Sequence, residues 1–294
     1  MSDVMKTSKF LTASEWREKG QLLTAFDKDF FTIDVGENDN CLVLLHGYLT
    51  SSYDYYKVID ELSKKYRVIA HDLIGFGFSD KTTDHYFSIS DQVDCLLDLW
   101  KQIGIDNITL LAHDYGTAIA QEILARKNAD LCPINVKELI YCNGNLPIKE
   151  SHFLDTQEFL KKEVAKKLIG MLASFGIYKK TMREVFCDDS KITDEELSEM
   201  WYLLEYNHGR DVISFIYNYL RERKILWGRW VNALQDTDVL LKVVWSKNDP
   251  LVDENFTNHL SKKTKNNEIH WIENSGHFPM LETPEAWLKA VLSD

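Results

Sequence analysis

Short apolar runs along this chain alternate with longer stretches in which apolar positions recur every three or four residues. Cys41–Leu45 is apolar throughout, the mark of a strand buried on both faces. Phe30–Val35, Tyr66–His71, Ile108–Leu111, Val136–Cys142, Val239–Trp245 and Ile269–Ile272 carry the same β-type character. Between them the pattern predicts helices. Thr12–Gly20 is closed by its glycine, Tyr53–Lys64 follows capping serines, and Ser90–Ile103 places Val93, Leu96, Leu97 and Trp100 on one face. Thr117–Lys127 and Pro284–Leu292 complete the set, the latter with proline in its first turn. Strands alternating with helices predict the α/β class, a mostly parallel, doubly wound sheet covered on both faces. The alternation stops at Pro147 and resumes after Asn232; helical spacing replaces it, with a capping box at Thr193–Glu196 and a helix over Asp211–Lys224. The predicted organisation is a core of residues 1–146 and 233–294, with a helical cap, residues 147–232, inserted after the strand Val136–Cys142.

One junction carries chemistry. The strand Ile108–Leu111 runs into Ala112-His113-Asp114-Tyr115-Gly116, and a helix follows at once. A strand, a sharp small-residue turn and a helix make a nucleophile elbow, usually written G-x-S-x-G. Here Ala112 and Gly116 hold the small positions and Asp114 stands where the serine would be. A carboxylate is already an anion near neutral pH, its reference pKa being about 3.9. Attack on an sp3 carbon bearing a leaving group, such as an epoxide or alkyl halide, gives a covalent ester and divides one displacement into two steps. The plainer alternative is that Asp114 caps the helix after it.

Hydrolysis of such an ester needs a water activated by a neutral histidine. His277, in Asn274-Ser-Gly-His-Phe-Pro279, lies between the last strand and the last helix, where the order nucleophile, acid, histidine puts the base. Asp249, just beyond Val239–Trp245, is placed to orient it; Asp253 is the local alternative, and an Asx turn before Pro250 is the structural reading of Asp249. Backbone N–H groups of Tyr115 and Tyr48 are placed to form an oxyanion hole. His46 reads as a loop-bonding residue, His113 as a neighbour of the elbow, and His71 as a fixture of its strand end. Gly75 and Gly77 read as a tight supporting turn, since neither G-x-G-x-x-G nor a P-loop lysine accompanies them.

Composition narrows the setting. The chain has 294 residues, 45% of them hydrophobic, enough for a substantial core. Its apolar runs are shorter than the roughly 20 residues that span a bilayer, and Met1–Ser8 lacks the apolar segment of a signal peptide. Five cysteines, Cys41, Cys95, Cys132, Cys142 and Cys187, show no metal-binding spacing and fit a reducing compartment, so a cytoplasmic location is expected. A formal net charge of −12 argues against nucleic acid or an anionic membrane as partner. The partners expected are a small apolar substrate and water, with no cofactor or metal, in a monomer or homodimer.

With elbow, acid and base assigned, the chain from about Phe30 onward resembles the epoxide hydrolase and haloalkane dehalogenase branch of the α/β-hydrolases. His113-Asp-Tyr-Gly116 is similar to that branch's His-Asp-Trp-Gly, while His46–Tyr55, Asp72–Lys81 and Tyr219–Trp230 resemble one subgroup of it. The resemblance implies an α/β-hydrolase fold and a hydrolase working through an ester on Asp114, with an epoxide the foremost substrate. Haloalkane or carboxylic-ester hydrolysis is the alternative it leaves; a cofactor-free oxygenase or luciferase and a non-catalytic binding protein are further ones. Epoxide hydrolases use two cap tyrosines as donors to the epoxide oxygen. Tyr219 matches the second, and Tyr178 and Tyr202 are candidates for the first. Leu49 replaces the proline of His-Gly-x-Pro. Tyr115 and Tyr48 occupy positions where dehalogenases carry a halide-binding tryptophan and often an asparagine.

Overall fold

The computed structural model describes residues 9–144, 174–251, 264 and 267–293. The apolar run Cys41–Leu45 is strand β3, buried along its whole length. It lies inside a sheet with β1 (Gln21–Ala25), β2 (Lys28–Val35), β4 (Arg67–His71), β5 (Asn107–His113), β6 (Asn135–Cys142), β7 (Leu240–Ser246) and β8 (Asn267–Ile272), in the order β1-β2-β4-β3-β5-β6-β7-β8. From β4 through β8 every neighbouring pair is parallel, and β2 joins β4 antiparallel. Parallel strands point their carboxyl ends the same way, so the loops after β3, β5, β6, β7 and β8 collect along one edge, where open α/β sheets bind ligands.

Helices close over this sheet. Ile89–Gln102 packs beside Tyr115–Lys127, and Pro284–Val291 packs against β7 and β8. Trp16, Trp100, Trp245 and Trp287 are fully buried anchors of the core. Between β6 and β7 the described residues are helical: Phe175–Arg183, Asp194–Glu205, Gly209–Ile216, Tyr219–Ile225 and Trp227–Asp236. Trp227–Asp236 lies on Tyr115–Lys127, where buried Glu122 accepts hydrogen bonds from Arg126, Arg229 and the Trp230 indole. The capping box at Thr193 and Glu196 forms as expected, and Glu196 also pairs with Lys57 at 2.7 Å. Residues 147–173, the start of the expected cap, lie outside the described residues. Among the described residues no helix is long and apolar enough to cross a membrane.

Three elements differ from expectation. A strand, β1, precedes β2 and forms a hairpin with it through Phe26-Asp27, both at positive φ. That backbone matches the twist of a two-residue hairpin, but neither residue announces it. The helix expected over Tyr53–Lys64 is a 3₁₀ turn, Ser52–Tyr55, then a short helix, Ile59–Leu62. Tyr53, Asp54, Tyr55 and Tyr56 are all buried, so no solvent face remains for an amphipathic helix. The helix expected over Asp211–Lys224 breaks at Tyr217-Asn218, and Tyr219 then turns inward.

Candidate active site

The elbow is strained in the way its sequence requires. Asp114 has φ 45° and ψ −109°, outside the regions open to most side chains. A Cβ on Gly116 would stand 2.7 Å from the Leu45 carbonyl oxygen, so only glycine lets the helix start this close to β3. Asp114 occupies the cap position of Tyr115–Lys127, yet its side chain makes no capping hydrogen bond. The carboxylate instead faces the loops at the sheet edge. Its Oδ1 accepts the Tyr48 N–H at 2.8 Å, and its Oδ2 lies 3.6 Å from His277 Nε2. Tyr115 contributes the first N–H of its helix, which has no acceptor within the helix.

His277 and Asp249 meet as the sequence predicts. His277 Nδ1–H donates to Asp249 Oδ2 at 2.8 Å. The same oxygen accepts Asn143 Nδ2–H at 2.7 Å, and Asp249 Oδ1 accepts the Leu251 N–H at 2.8 Å. Asp249 therefore forms the local turn and holds the imidazole at once. Asp253 lies outside the described residues. The expectation had omitted Asn143, whose φ of 40° turns the chain directly after β6. An asparagine at a strand end is ordinary turn chemistry, and the sequence gives no other sign of it.

Three further histidines hold the frame. His113 Nε2–H donates to the His277 carbonyl at 2.8 Å. His46 Nδ1–H donates to the Gly47 carbonyl at 2.8 Å, and its Nε2 accepts the Leu73 N–H at 3.0 Å. His71 bonds Thr32 and receives the Trp100 indole N–H at 2.8 Å. Burial pushes His46 and His71 down to about 3 and His113 to about 4, so all three are neutral imidazoles. The glycine-bearing loop is a support as well: Asp72 accepts the Ser52 and Phe78 N–H groups, and a Cβ on Gly77 would overlap its carboxylate.

His277 behaves oppositely. Burial disfavours its charge, but the Asp249 carboxylate and then Asp114 outweigh that and raise it to about 10. Burial also works against the Asp114 anion, and the hydrogen bond and charge of His277 hold its carboxyl below the usual range. The two shifts favour a positive His277 beside an anionic Asp114. Among the described residues no cluster of three or more histidine, cysteine or acidic side chains is arranged to hold a metal ion.

The tyrosines divide. Tyr219 is buried, its ring edge-on to Tyr115 with centroids 4.9 Å apart and 5.4 Å from the Tyr48 ring. Burial and then the Asp114 charge raise its phenol, so it stays a hydrogen-bond donor. Tyr178 is also fully buried, against Trp201, and its hydroxyl has no partner among the described residues. Tyr202 departs from expectation. It is 48% exposed and packs on Tyr206, because the inward face of Asp194–Glu205 is taken by Leu197, Met200, Leu203 and Leu204.

Comparison with known proteins agrees with the fold. The family model for the alpha/beta hydrolase fold matches residues 40–183. Mesoderm-specific transcript protein of Mus musculus is 32% identical over 287 residues, covering 94% of this chain and 86% of that protein. Epoxide hydrolase 1 of Caenorhabditis elegans is 26% identical over 293 residues, covering 92% of this chain and 70% of that protein. The crystal structure of a putative lipase from Acinetobacter baumannii superposes with a TM-score of 0.79 at 18% identity, covering 97% of this chain and 95% of that one. The chain belongs to the α/β-hydrolase family and is an enzyme of the hydrolase class.

Proposed function

We propose that the enzyme attacks its substrate with the Asp114 carboxylate, forms a covalent ester, and hydrolyses it with water activated by His277. The observation that carries this reading is a carboxylate at a strained elbow that caps no helix and faces an imidazole 3.6 Å away. Asp114 Oδ2 attacks an sp3 carbon, and the carbon–leaving-group bond breaks. For an epoxide the leaving atom stays attached as an alkoxide, which takes a proton from a donor above the site. Tyr219 supports that role, since it lies over Tyr115 and keeps its proton. Tyr178 is the candidate for a second donor.

Ester formation removes the Asp114 charge. His277 then keeps only Asp249 as an anionic partner while burial still opposes its charge. The imidazolium proton passes, directly or through solvent, to the phenolate that ring opening leaves on the donor tyrosine, and His277 becomes the base when a base is needed. Water attacks the ester carbonyl, giving its proton to His277 Nε2, and negative charge grows on Oδ1. The Tyr48 N–H at 2.8 Å and the Tyr115 N–H stabilise that oxygen. Collapse breaks the bond from the acyl carbon to the substrate oxygen, which takes the proton from His277 and leaves as the alcohol; the Asp114 carboxylic acid then gives its proton back to His277.

The substrate is a small, mostly apolar molecule, an epoxide in the first instance, and the helices between Phe175 and Asp236 act as part of the cap over it. Similarity to a protein named epoxide hydrolase supports that choice. Buried Tyr115 and Tyr48, standing where dehalogenases carry their halide-binding residues, favour it over an alkyl halide. A panel of aliphatic epoxides, bromoalkanes and short-chain esters tests the class. Diol formation should exceed bromide release and ester cleavage; faster bromide release would reverse the assignment. Cytoplasmic location remains part of the proposal, tested by fractionating cells.

A further inference from the structure

His277 is held by its main chain as firmly as by Asp249, and the partners of that main chain come from the helical insert. Its N–H donates to the Val185 carbonyl at 2.8 Å. Phe186 stacks on Phe278 with centroids 5.9 Å apart and planes 17° from parallel. Gly276 lies so close beneath the insert that a Cβ there would stand 2.4 Å from the Val185 oxygen and 2.6 Å from the Cys187 nitrogen. One side chain then joins the two segments. Glu282, 4% exposed, accepts the Asp188 N–H on Oε1 at 2.7 Å and the Gly276 N–H on Oε2 at 2.6 Å. A carboxylate taking one backbone N–H on each oxygen makes two charge-assisted bonds, stronger than neutral ones. On its far side the His277 carbonyl is pinned by His113.

We propose that Glu282 is a positioning residue for His277: by joining Asp188 and Gly276 on one carboxylate, it fastens the helical insert to the base-bearing loop and fixes the imidazole relative to Asp114. The inference rests on His277 being the base for ester hydrolysis. It adds that the insert, besides covering the site, sets the geometry of the second chemical step. Attack by Asp114 uses no base, so that step does not depend on the clamp. Water activation does, because the imidazole must aim a water at the ester carbonyl from Nε2, which lies 3.6 Å from Asp114 Oδ2.

Glu282→Gln keeps the shape but turns an amide N–H toward one of the two backbone N–H groups. Glu282→Asp keeps the charge but is one methylene too short to reach both. In either variant, hydrogen exchange at the Asp188 and Gly276 amides should quicken together, and the NMR titration of His277 should move to lower pH. With an epoxide that is turned over, ester formation should keep its rate. Ester hydrolysis should slow by about tenfold to a hundredfold, the scale of a misplacement near 1 Å. The exchange and titration measurements need no substrate, so they test the clamp even if the covalent mechanism fails. Exchange and titration as in the unaltered enzyme would overturn the proposal. So would an equal slowing of both chemical steps together with a lowered melting temperature, which is the signature of a merely structural residue.

Discussion

Replacing Asp114 by asparagine removes one negative charge 3.6 Å from His277 Nε2 and leaves the side chain nearly unchanged in shape. Two unit charges at that separation, in an effective dielectric of about 20, interact by about 4–5 kcal/mol, or about three pK units. Asp114 keeps 19% exposure, so solvent screens part of this and two to three units is the working expectation, roughly. His277 starts at about 10 in the unaltered enzyme and should titrate near neutrality in Asp114→Asn. The sign follows from which form is favoured: an anion stabilises the imidazolium, so losing the anion releases the proton at lower pH. Two-dimensional NMR of protein with labelled histidine, recorded from pH 5 to 11, reads this directly. His46 and His113, pushed down to about 3 and about 4, should stay neutral throughout and serve as internal references. The same charge disappears when Asp114 becomes an ester, so the variant mimics the electrostatics of the intermediate. A His277 titration shifted by less than about half a unit would refute the idea that alkylation switches the base on.

Tyr219→Phe deletes the proposed donor to the epoxide oxygen. Epoxide opening should slow by about a hundredfold or more, while displacement of bromide, which needs no proton, keeps its rate; equal effects on both substrates would remove Tyr219 from that role. Asp54 is fully buried, with one carboxylate oxygen bonded to Thr50 and the other unpartnered among the described residues, and burial pushes it up to about 8. A carboxyl raised in the folded state contributes stability that is full below its unfolded value, near pH 4, and is lost as pH rises toward 8, by up to about 1.4 kcal/mol per pH unit. Asp54→Asn cannot titrate, so melting curves should show the unaltered protein losing ground to the variant between pH 5 and 8; parallel curves would contradict this.

The legible parts of this molecule were those written in local pattern. Cys41–Leu45 could only be a doubly buried strand, and Ala112 and Gly116 around Asp114 could only serve a crowded turn. His277 and Asp249 followed from chain order, because a parallel sheet delivers the ends of successive strands to one edge. What escaped depends on contacts between distant segments. Nothing near Asn143 or Glu282 tells that one steadies Asp249 and the other ties Gly276 to Asp188. The β1–β2 turn puts Phe26 and Asp27 at positive φ without glycine, so tertiary pairing overrides local preference there. Tyr178 and Tyr202 looked alike in sequence, and packing separated them: Tyr178 is sealed against Trp201 while Tyr202 is half exposed.

The covalent ester on Asp114 is the centre of the account, and His277→Gln exposes it most directly. Attack by Asp114 needs no base, and the Tyr48 N–H still supports its carboxylate once the His277 charge is gone, so attack should proceed in this variant at mildly alkaline pH. Hydrolysis should fall by about 10²–10⁴, the usual contribution of a positioned general base. Intact-protein mass spectrometry of His277→Gln incubated with an epoxide that the unaltered enzyme consumes should show a mass increase equal to the whole substrate, and peptide mapping should place it on Asp114. An unmodified protein, under conditions where the epoxide is bound, would contradict the two-step mechanism.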